Sequence, residues 1–89
     1  MKITQYAAAV GACLTAAYNP KLRGGTWQAK FESCEVMKDE CFLLGEWGGG
    51  RTPDEAIKSY AQAIAGKRIV FNARGKDRRE FDVPEDLTH

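Results

Sequence analysis

The chain of 89 residues is poor in the side chains that most often build metal sites and catalytic centres. Its single histidine, His89, is the last residue, and its three cysteines show no Cys-x-x-Cys spacing. A structural zinc site needs about four well-spaced ligands. No interior histidine is available as a general base, and neither serine lies in a nucleophile motif. The sequence therefore predicts a non-enzymatic protein without metal, cofactor or catalytic residues.

Disulfides and membrane spans also find little support. Cys13, Cys34 and Cys41 are an odd set, and free thiols buried as small apolar groups are typical of a reducing cytoplasm. A bridge between Cys34 and Cys41 stays open as an alternative if the two face each other across a hairpin. No apolar run is long enough to cross a membrane. The Ala-rich start only faintly resembles a secretory signal, because Gln5 and Tyr6 interrupt it. We therefore expect a cytoplasmic protein that begins with a structural helix.

Neither sign of charge dominates the whole chain, whose net charge is +1. The distribution is nevertheless uneven. Residues 1–31 carry four bases and no acid, residues 32–66 carry seven acids and three bases, and residues 67–89 carry six bases and five acids. The balance argues against nonspecific DNA binding, which needs a broad basic surface, and against a DNA mimic, which would need strong acidity.

The most specific local pattern is a glycine run followed by a helix start. Thr52 is a candidate N-cap, and Glu55, three residues later, would complete a capping box. Pro53 would occupy the first helical position, where its missing N–H costs nothing. The glycines at 48–50 would let the chain leave a strand and turn back over a sheet. This pattern predicts an amphipathic helix over residues 53–65, with Gly66 as its C-cap.

Hydrophobic periodicity predicts the other elements. Apolar steps of three and four residues predict a first helix over residues 3–18, ended by Asn19 and Pro20. Alternation predicts a strand over 27–32, with a bulge or early end near residues 33–35. The rest of the prediction is a turn at 24–25, a hairpin loop at 37–40, strands at 41–47, 69–73 and 78–83, and a turn at 74–77.

These elements predict a small single α+β domain in the order α-β-β-α-β-β. Two hairpins joined by a helix can form one four-stranded, mainly antiparallel sheet with both helices on one face. Pro84 would end the last strand, so that the domain covers residues 1–84 and residues 85–89 fray. The thin core and an apolar second strand also predict a homodimer or a larger assembly.

A basic cluster near the C-terminus is the main candidate binding site. It could hold a nucleotide or a nucleic-acid segment together with Asn72 and the aromatic Trp27, Trp47 and Phe71. The alternative is a solvated hairpin whose charges pair locally with Asp77, Glu80 and Asp82, and this is favoured because most charge runs are solvated faces. The cluster consists of Lys67, Arg68, Arg74, Lys76, Arg78 and Arg79.

The loop from Trp47 to Arg51 is the second candidate location. Trp27 and Trp47 could pair across the first hairpin, and a position in the sheet core is the favoured interpretation, whereas an exposed tryptophan would mark a contact surface. The glycines could cradle a phosphate at the helix start, but no Gly-Lys-Thr or Gly-Lys-Ser ending is present. Asp54 and Glu55 would also repel an anion there. A simple strand exit is the favoured interpretation.

Several segments together resemble a family of small uncharacterised proteins from bacteriophages and prophages. They are residues 44–57, residues 66–73, the run Arg78-Arg79-Glu80-Phe81, and Pro84. The resemblance covers roughly the C-terminal half, and it transfers no catalytic or binding residue. It implies an expectation about origin, because phage proteins of this size often counter host defence as anti-CRISPR proteins or as sponges for nucleotide signals.

The resulting functional prediction is a phage-encoded binding protein that antagonises a host-defence component in the host bacterial cytoplasm. Its partner would be a host-defence protein or a signalling nucleotide, and no membrane is implied. The predicted partner-binding residues are Arg74, Lys76, Arg78, Arg79, Trp47, Arg51 and Asn72. A nucleic-acid-binding accessory protein that uses the basic hairpin is a less favoured alternative, and a homo-oligomeric structural or assembly factor is another.

Overall fold

A computed structural model describes residues 1–22, 25–39 and 42–89. Residue 24 of the predicted turn at 24–25, the tip of the hairpin loop at residue 40 and any bridge to Cys41 therefore lie outside the described residues. The elements are α1 (Ile3–Val10), β1 (Leu14–Asn19), β2 (Thr26–Phe31), β3 (Cys34–Asp39), β4 (Phe42–Leu44), β5 (Gly48–Gly50), α2 (Pro53–Ile64), β6 (Arg68–Phe71) and β7 (Arg79–Asp82).

The strands form two antiparallel sheets rather than one. A three-stranded sheet has the order β1-β2-β5, and a four-stranded sheet has the order β4-β3-β6-β7. Helix α2 packs on the three-stranded sheet, mainly against β5 and β2. Helix α1 reaches β7, where the hydroxyl of Tyr6 donates to the carbonyl of Asp82. The predicted α+β class is confirmed, whereas the single sheet with both helices on one face is corrected.

The first correction concerns residues 14–19, which form β1 instead of continuing the first helix. Gly11 ends α1 in the left-handed conformation with a φ of 70°, and this is a common role for glycine after a helix. Every second residue of β1 then faces α2. These residues are Leu14, Ala16 and Tyr18, and they pair with Phe31, Ala29 and Trp27 of β2. Short alanine-rich runs fit periods of two and of about 3.6 residues equally well, so the sequence pattern could not separate the two structures.

The second correction concerns strand pairing. The strand predicted at 27–32 was expected to pair with the one at 41–47. Instead, β2 ends at Phe31, turns through Ser33, which has a φ of 56°, and pairs with β1 and β5. Residues 37–39, predicted as part of a hairpin loop, belong to β3, which pairs with β4 and β6. The early strand end predicted near residues 33–35 is present at this turn.

The glycine run is itself a strand, β5, and not merely an exit from one. Gly48 and Gly50 face α2, whose first turns lie directly against the β5 backbone. A Cβ at Gly48 would overlap the backbone nitrogen of Tyr60, and a Cβ at Gly50 would lie 2.6 Å from the nitrogen of Ala56. Glycine is therefore required at both positions because helix and strand backbones approach too closely for any side chain.

The start of α2 follows the sequence prediction. The backbone N–H of Glu55 donates to the hydroxyl oxygen of Thr52 over 3.1 Å, and Pro53 is the first helical residue. The carboxylate of Glu55 accepts from the N–H of Arg51 over 2.8 Å, one residue earlier than in a regular capping box. The carboxylate thus also anchors the segment that leaves β5. Gly66 follows α2 with a φ of 74°.

The Thr52 cap supports a stability prediction. Thr52→Ala removes the acceptor for the Glu55 N–H, and we expect it to lower the free energy of unfolding by about 0.5–2 kcal/mol. Thr52→Ser keeps the hydroxyl and should recover most of the loss. Urea denaturation of the three proteins measures both effects. Coincident midpoints for the alanine variant and the wild type would show that this hydrogen bond does not stabilise α2.

The core lies where the two sheets and the two helices meet. The ring of Phe31 is fully buried, and its centroid lies 5.4 Å from that of Tyr60, 6.1 Å from that of Phe71 and 6.4 Å from that of Tyr6.

Strands β6 and β7 lie where the sequence predicts strands, although both are shorter. In residues 85–89, where fraying was expected, Leu87 is only 5% exposed and Thr88 bridges to Lys2.

Candidate functional site

Trp47 is held on the face of the three-stranded sheet opposite α2. Its indole lies over Gly49, where an added Cβ would be 3.0 Å from Cζ3 of the ring. Trp47 and Gly49 therefore share one side of the β5 segment, while Gly48 and Gly50 share the other, as strand alternation requires. The side chain is still 45% exposed. A large aromatic ring is thus both positioned by the fold and accessible to solvent.

The face on which Trp47 lies, called here the outer face, is formed by every second residue of β1 and β2. Helix α2 covers the opposite face. The amide of Asn19 donates to the side-chain oxygen of Gln28 over 3.4 Å, and the methyl of Thr26 lies near Gly49. A shallow depression of about 140 Å³ beside Trp47 is lined by Thr15, Ala17, Gln28 and Lys30. The outer face combines hydrogen-bonding side chains, one lysine and one aromatic ring.

A larger groove of about 870 Å³ opens on the other side of Trp47. Its lining includes the aromatic ring, the backbone of Gly49 and Gly50, and Arg51 and Glu55 from the start of α2. Leu22, Gly25 and Thr26 complete the lining. Trp47 borders both the groove and the depression, so these form one continuous surface. This surface, the groove together with the depression, is called the Trp47 surface below.

The carboxylates nearest Trp47 lie away from the outer face, although one of them lines the groove. Glu46 precedes Trp47 and lies on the side of α2, where its charge contributes to the raised pKa of Tyr60, which is caused chiefly by burial of the phenol. Glu55 lines the groove, but its carboxylate accepts the N–H of Arg51. Strands β1, β2 and β5 contain no acidic residue, and Lys30 is their only basic residue. The outer face itself is therefore weakly positive.

The basic cluster lies on the other sheet, at the β6–β7 hairpin, and part of it is paired locally. Arg68 contacts Glu80 over 3.1 Å and Asp82 over 2.8 Å, and Arg78 contacts Glu80 over 3.3 Å. The hydrogen bond from Arg68 lowers the pKa of the Glu80 carboxyl, and the same contact raises the pKa of Arg68. These pairs match the solvated-hairpin alternative for Arg68 and Arg78.

Other members of the predicted site have structural roles as well. The guanidinium of Arg79 lies 5.5 Å from the ring centroid of Phe71 and donates to the carbonyl of Val10, joining β7 to α1. Asn72 has a φ of 52°, and its backbone carbonyl accepts from the N–H of Gly75, so it forms the turn after β6. Arg74 and Lys76 are exposed in this turn region. The structure thus separates the predicted residues into a hairpin group and the pair Trp47 and Arg51.

The thiols of the described residues differ in their surroundings. Cys13 is exposed, whereas Cys34 is partly buried. Burial raises the pKa of the Cys34 thiol to about 11, partly offset by a hydrogen bond with Tyr60. A thiol with so high a pKa is almost entirely protonated at neutral pH and is a poor nucleophile or metal ligand. Among the described residues, no three His, Cys, Asp or Glu side chains gather as a metal site would require.

A second exposed apolar feature lies on the four-stranded sheet. Strand β4 is an edge strand, and its residues Phe42 and Leu44 are 64% and 39% exposed. An edge strand has free backbone N–H and C=O groups that can pair with another chain.

Within the part of the chain that the structure describes, neither helix has the length and the hydropathy needed to cross a membrane.

Comparison with family models, curated proteins and solved structures found no match to this chain. The candidate site is therefore defined by geometry. Sequence reasoning identified Trp47 and Arg51, but it missed Thr15, Ala17 and Asn19 because β1 was predicted as a helix. The alternation of β2 did place Gln28 and Lys30 on the side opposite Phe31. Predicting a strand at residues 14–19 beside β2 would have revealed the outer face.

Proposed function

We propose that the protein is a non-enzymatic binding protein that acts through the Trp47 surface. The observation that carries this proposal is the fixed exposure of Trp47, which is 45% exposed although its ring rests on Gly49. Exposed, positioned aromatic side chains often dominate binding energy at interfaces. A ring already held in place loses little conformational freedom on binding, so more of its contact energy contributes to affinity.

The biological role that we propose is antagonism of a host-defence component in the host bacterial cytoplasm. The resemblance to bacteriophage and prophage proteins supports this role, and the groove beside Trp47 offers a place for the partner. Arg51 borders the groove and could contact an anionic group of a defence protein or of a nucleotide signal. The hairpin residues Arg74 and Lys76 remain a second possible contact region, because their side chains reach solvent.

Phage plating on defended bacteria tests this function. The protein is expressed in hosts that carry a CRISPR–Cas system or a cyclic-nucleotide-signalling system, and plating of a sensitive phage is measured. Wild type should restore plating on at least one host. Trp47→Ala should largely abolish the effect, since truncating a hot-spot aromatic costs about 2 kcal/mol or more, or roughly thirtyfold in affinity.

Phe42→Ala is the matched control because it removes another exposed aromatic ring, on the other sheet. Both variants should keep the wild-type melting temperature. Full protection by Trp47→Ala would show that binding does not depend on this surface. Failure of the wild type to protect phage on either host would contradict the proposed role in defence.

Self-association is a second candidate property, favoured by the exposed edge of β4. Two copies could pair their β4 strands antiparallel and cover Phe42 and Leu44 on both. Light scattering at high micromolar concentration should then give more than the monomer mass, and Phe42→Lys should return the protein to the monomer. A monomer mass for the wild type would exclude this property. A dimer that survives Phe42→Lys would place the interface elsewhere.

A further inference from the structure

We infer that the outer face of the three-stranded sheet binds phosphodiester-linked nucleotides, with a base stacked on Trp47. This inference rests on the proposed function, since it names the ligand class of the same surface. The ligand chemistry has two possible sources, a single-stranded nucleic acid or a cyclic oligonucleotide signal. In both, flat bases alternate with a negatively charged backbone.

The stacking platform is the first requirement, and Trp47 meets it. Its six-membered ring lies over Gly49, and the side chain is 45% exposed, so part of the ring is open to a ligand. Any side chain at residue 49 would push the indole away from the sheet. Stacking of a base on an aromatic side chain contributes about 1–3 kcal/mol and tolerates every base, because each base has a flat π-face.

The second requirement is polar groups that can contact base edges, next to the platform. Gln28 and Asn19 are joined by a hydrogen bond and are both only partly exposed, so their amides are held on the outer face. The NH2 group of Gln28 can donate to a base edge, whereas Asn19 already accepts from the N–H of Lys21 and donates to Gln28. Thr15 donates its hydroxyl proton to the carbonyl of Lys30, so that its oxygen can accept in the depression next to Trp47. Base and amide chemistry therefore match on this face.

The third requirement is charge of the correct sign. The three strands contain no carboxylate, Lys30 projects from the outer face, and Arg51 borders the adjoining groove. A phosphodiester backbone crossing the face could therefore meet Lys30 beside Trp47, whereas the carboxylate of Glu55 shares the groove with Arg51 and partly offsets its charge. With one or two phosphates contacted, the logarithm of affinity should fall with that of salt with a slope of about −0.7 to −1.4. The near-neutral chain is consistent with so small a number.

The size of the face limits the ligand to a short segment. Three strands are about 10 Å wide, and six residues of β1 or β2 extend for about 20 Å. Sheets of similar design stack two or three bases of a single strand. In a duplex the ring faces of the bases are stacked on one another, so they are not available to an aromatic side chain. The face therefore fits unpaired bases.

Fluorescence anisotropy with labelled oligo(dT), labelled oligo(rU) and labelled cyclic di-AMP tests the inference on the full chain. Trp47→Ala should weaken binding about 5- to 160-fold, and Trp47→Phe should retain most of it. Lys30→Glu should weaken binding and reduce the salt slope by about 0.7. Lys58→Glu changes the net charge equally but lies on α2, which covers the opposite face, so its affinity should equal that of the wild type.

The outcomes distinguish this inference from the proposed function. Binding of the oligonucleotides identifies a linear single strand as the source, and binding of cyclic di-AMP alone identifies a cyclic signal. Absence of binding to all three probes overturns the inference, as does equal weakening by Lys30→Glu and Lys58→Glu. If the probes fail to bind but Trp47→Ala abolishes phage protection, the proposed function stands with a protein partner. If the probes bind and no protection occurs, the inference stands without the role in defence.

Discussion

Gly48→Ala should destabilise the protein by about 3 kcal/mol or more, at the upper end of the overpacking range. The added methyl would overlap the backbone of Tyr60 and Ala56 in α2. Backbone atoms in a helix cannot rotate away as a side chain can, so β5 and α2 would have to separate. A domain of this size is stable by only about 4–13 kcal/mol. The loss should appear as a large shift of the urea midpoint.

Gly45→Ala is the control for this experiment. An added Cβ there would meet no atom within 4 Å, and the residue needs no left-handed conformation. Its urea midpoint should remain within error of the wild type or rise slightly, because alanine restricts the unfolded chain more than glycine does. Equal midpoints for Gly48→Ala and Gly45→Ala would mean that α2 does not lie directly on β5.

Phe31→Ala should have an effect at least as large, about 3–5 kcal/mol. The ring is fully buried and contacts aromatic rings from both helices and from β6, so no single element can move to fill the cavity. Thermal denaturation followed by circular dichroism should show a much lower melting temperature or a chain that is unfolded at room temperature.

Phe42→Ala removes the same side chain from a site where it is 64% exposed. Surface substitutions of this kind usually change stability by no more than about 0.5 kcal/mol. Measured at a protein concentration where the chain is monomeric, the difference between the two variants therefore reflects the burial of Phe31. Similar melting temperatures for both would show that the Phe31 ring is not the centre of the core.

The elements that sequence reasoning placed correctly are those with local signals. Thr52, Pro53 and Glu55 mark the start of α2 by their own hydrogen-bonding and backbone chemistry, and this predicted start was confirmed, although the helix ends at Ile64 with Ala65, not Gly66, as its C-cap. Strands β6 and β7 were predicted because a turn separates two apolar runs. In these cases the residues that specify the structure lie within a few positions of one another.

Strand pairing could not be predicted in the same way, because it depends on contacts between distant segments. No pattern within residues 26–31 indicates that they pair with β1 on one side and with β5 on the other. The glycines of β5 were interpreted as a simple exit from a strand. The contacts that require glycine at these positions come from α2, which follows them in the sequence. The outer face was missed for the same reason, since its residues come from three separate segments.

The contact between the first and the last residues allows the covalent order of the chain to be changed. Thr88 donates its N–H to the carbonyl of Met1 over 2.9 Å and accepts from the N–H of Ile3. A short peptide could therefore join residue 89 to residue 1 and close the backbone into a ring. Opening that ring at Gly45 would give a circular permutant in which the Trp47 segment begins the chain, with the same pairing of strands and a free end beside the binding surface for attaching a reporter.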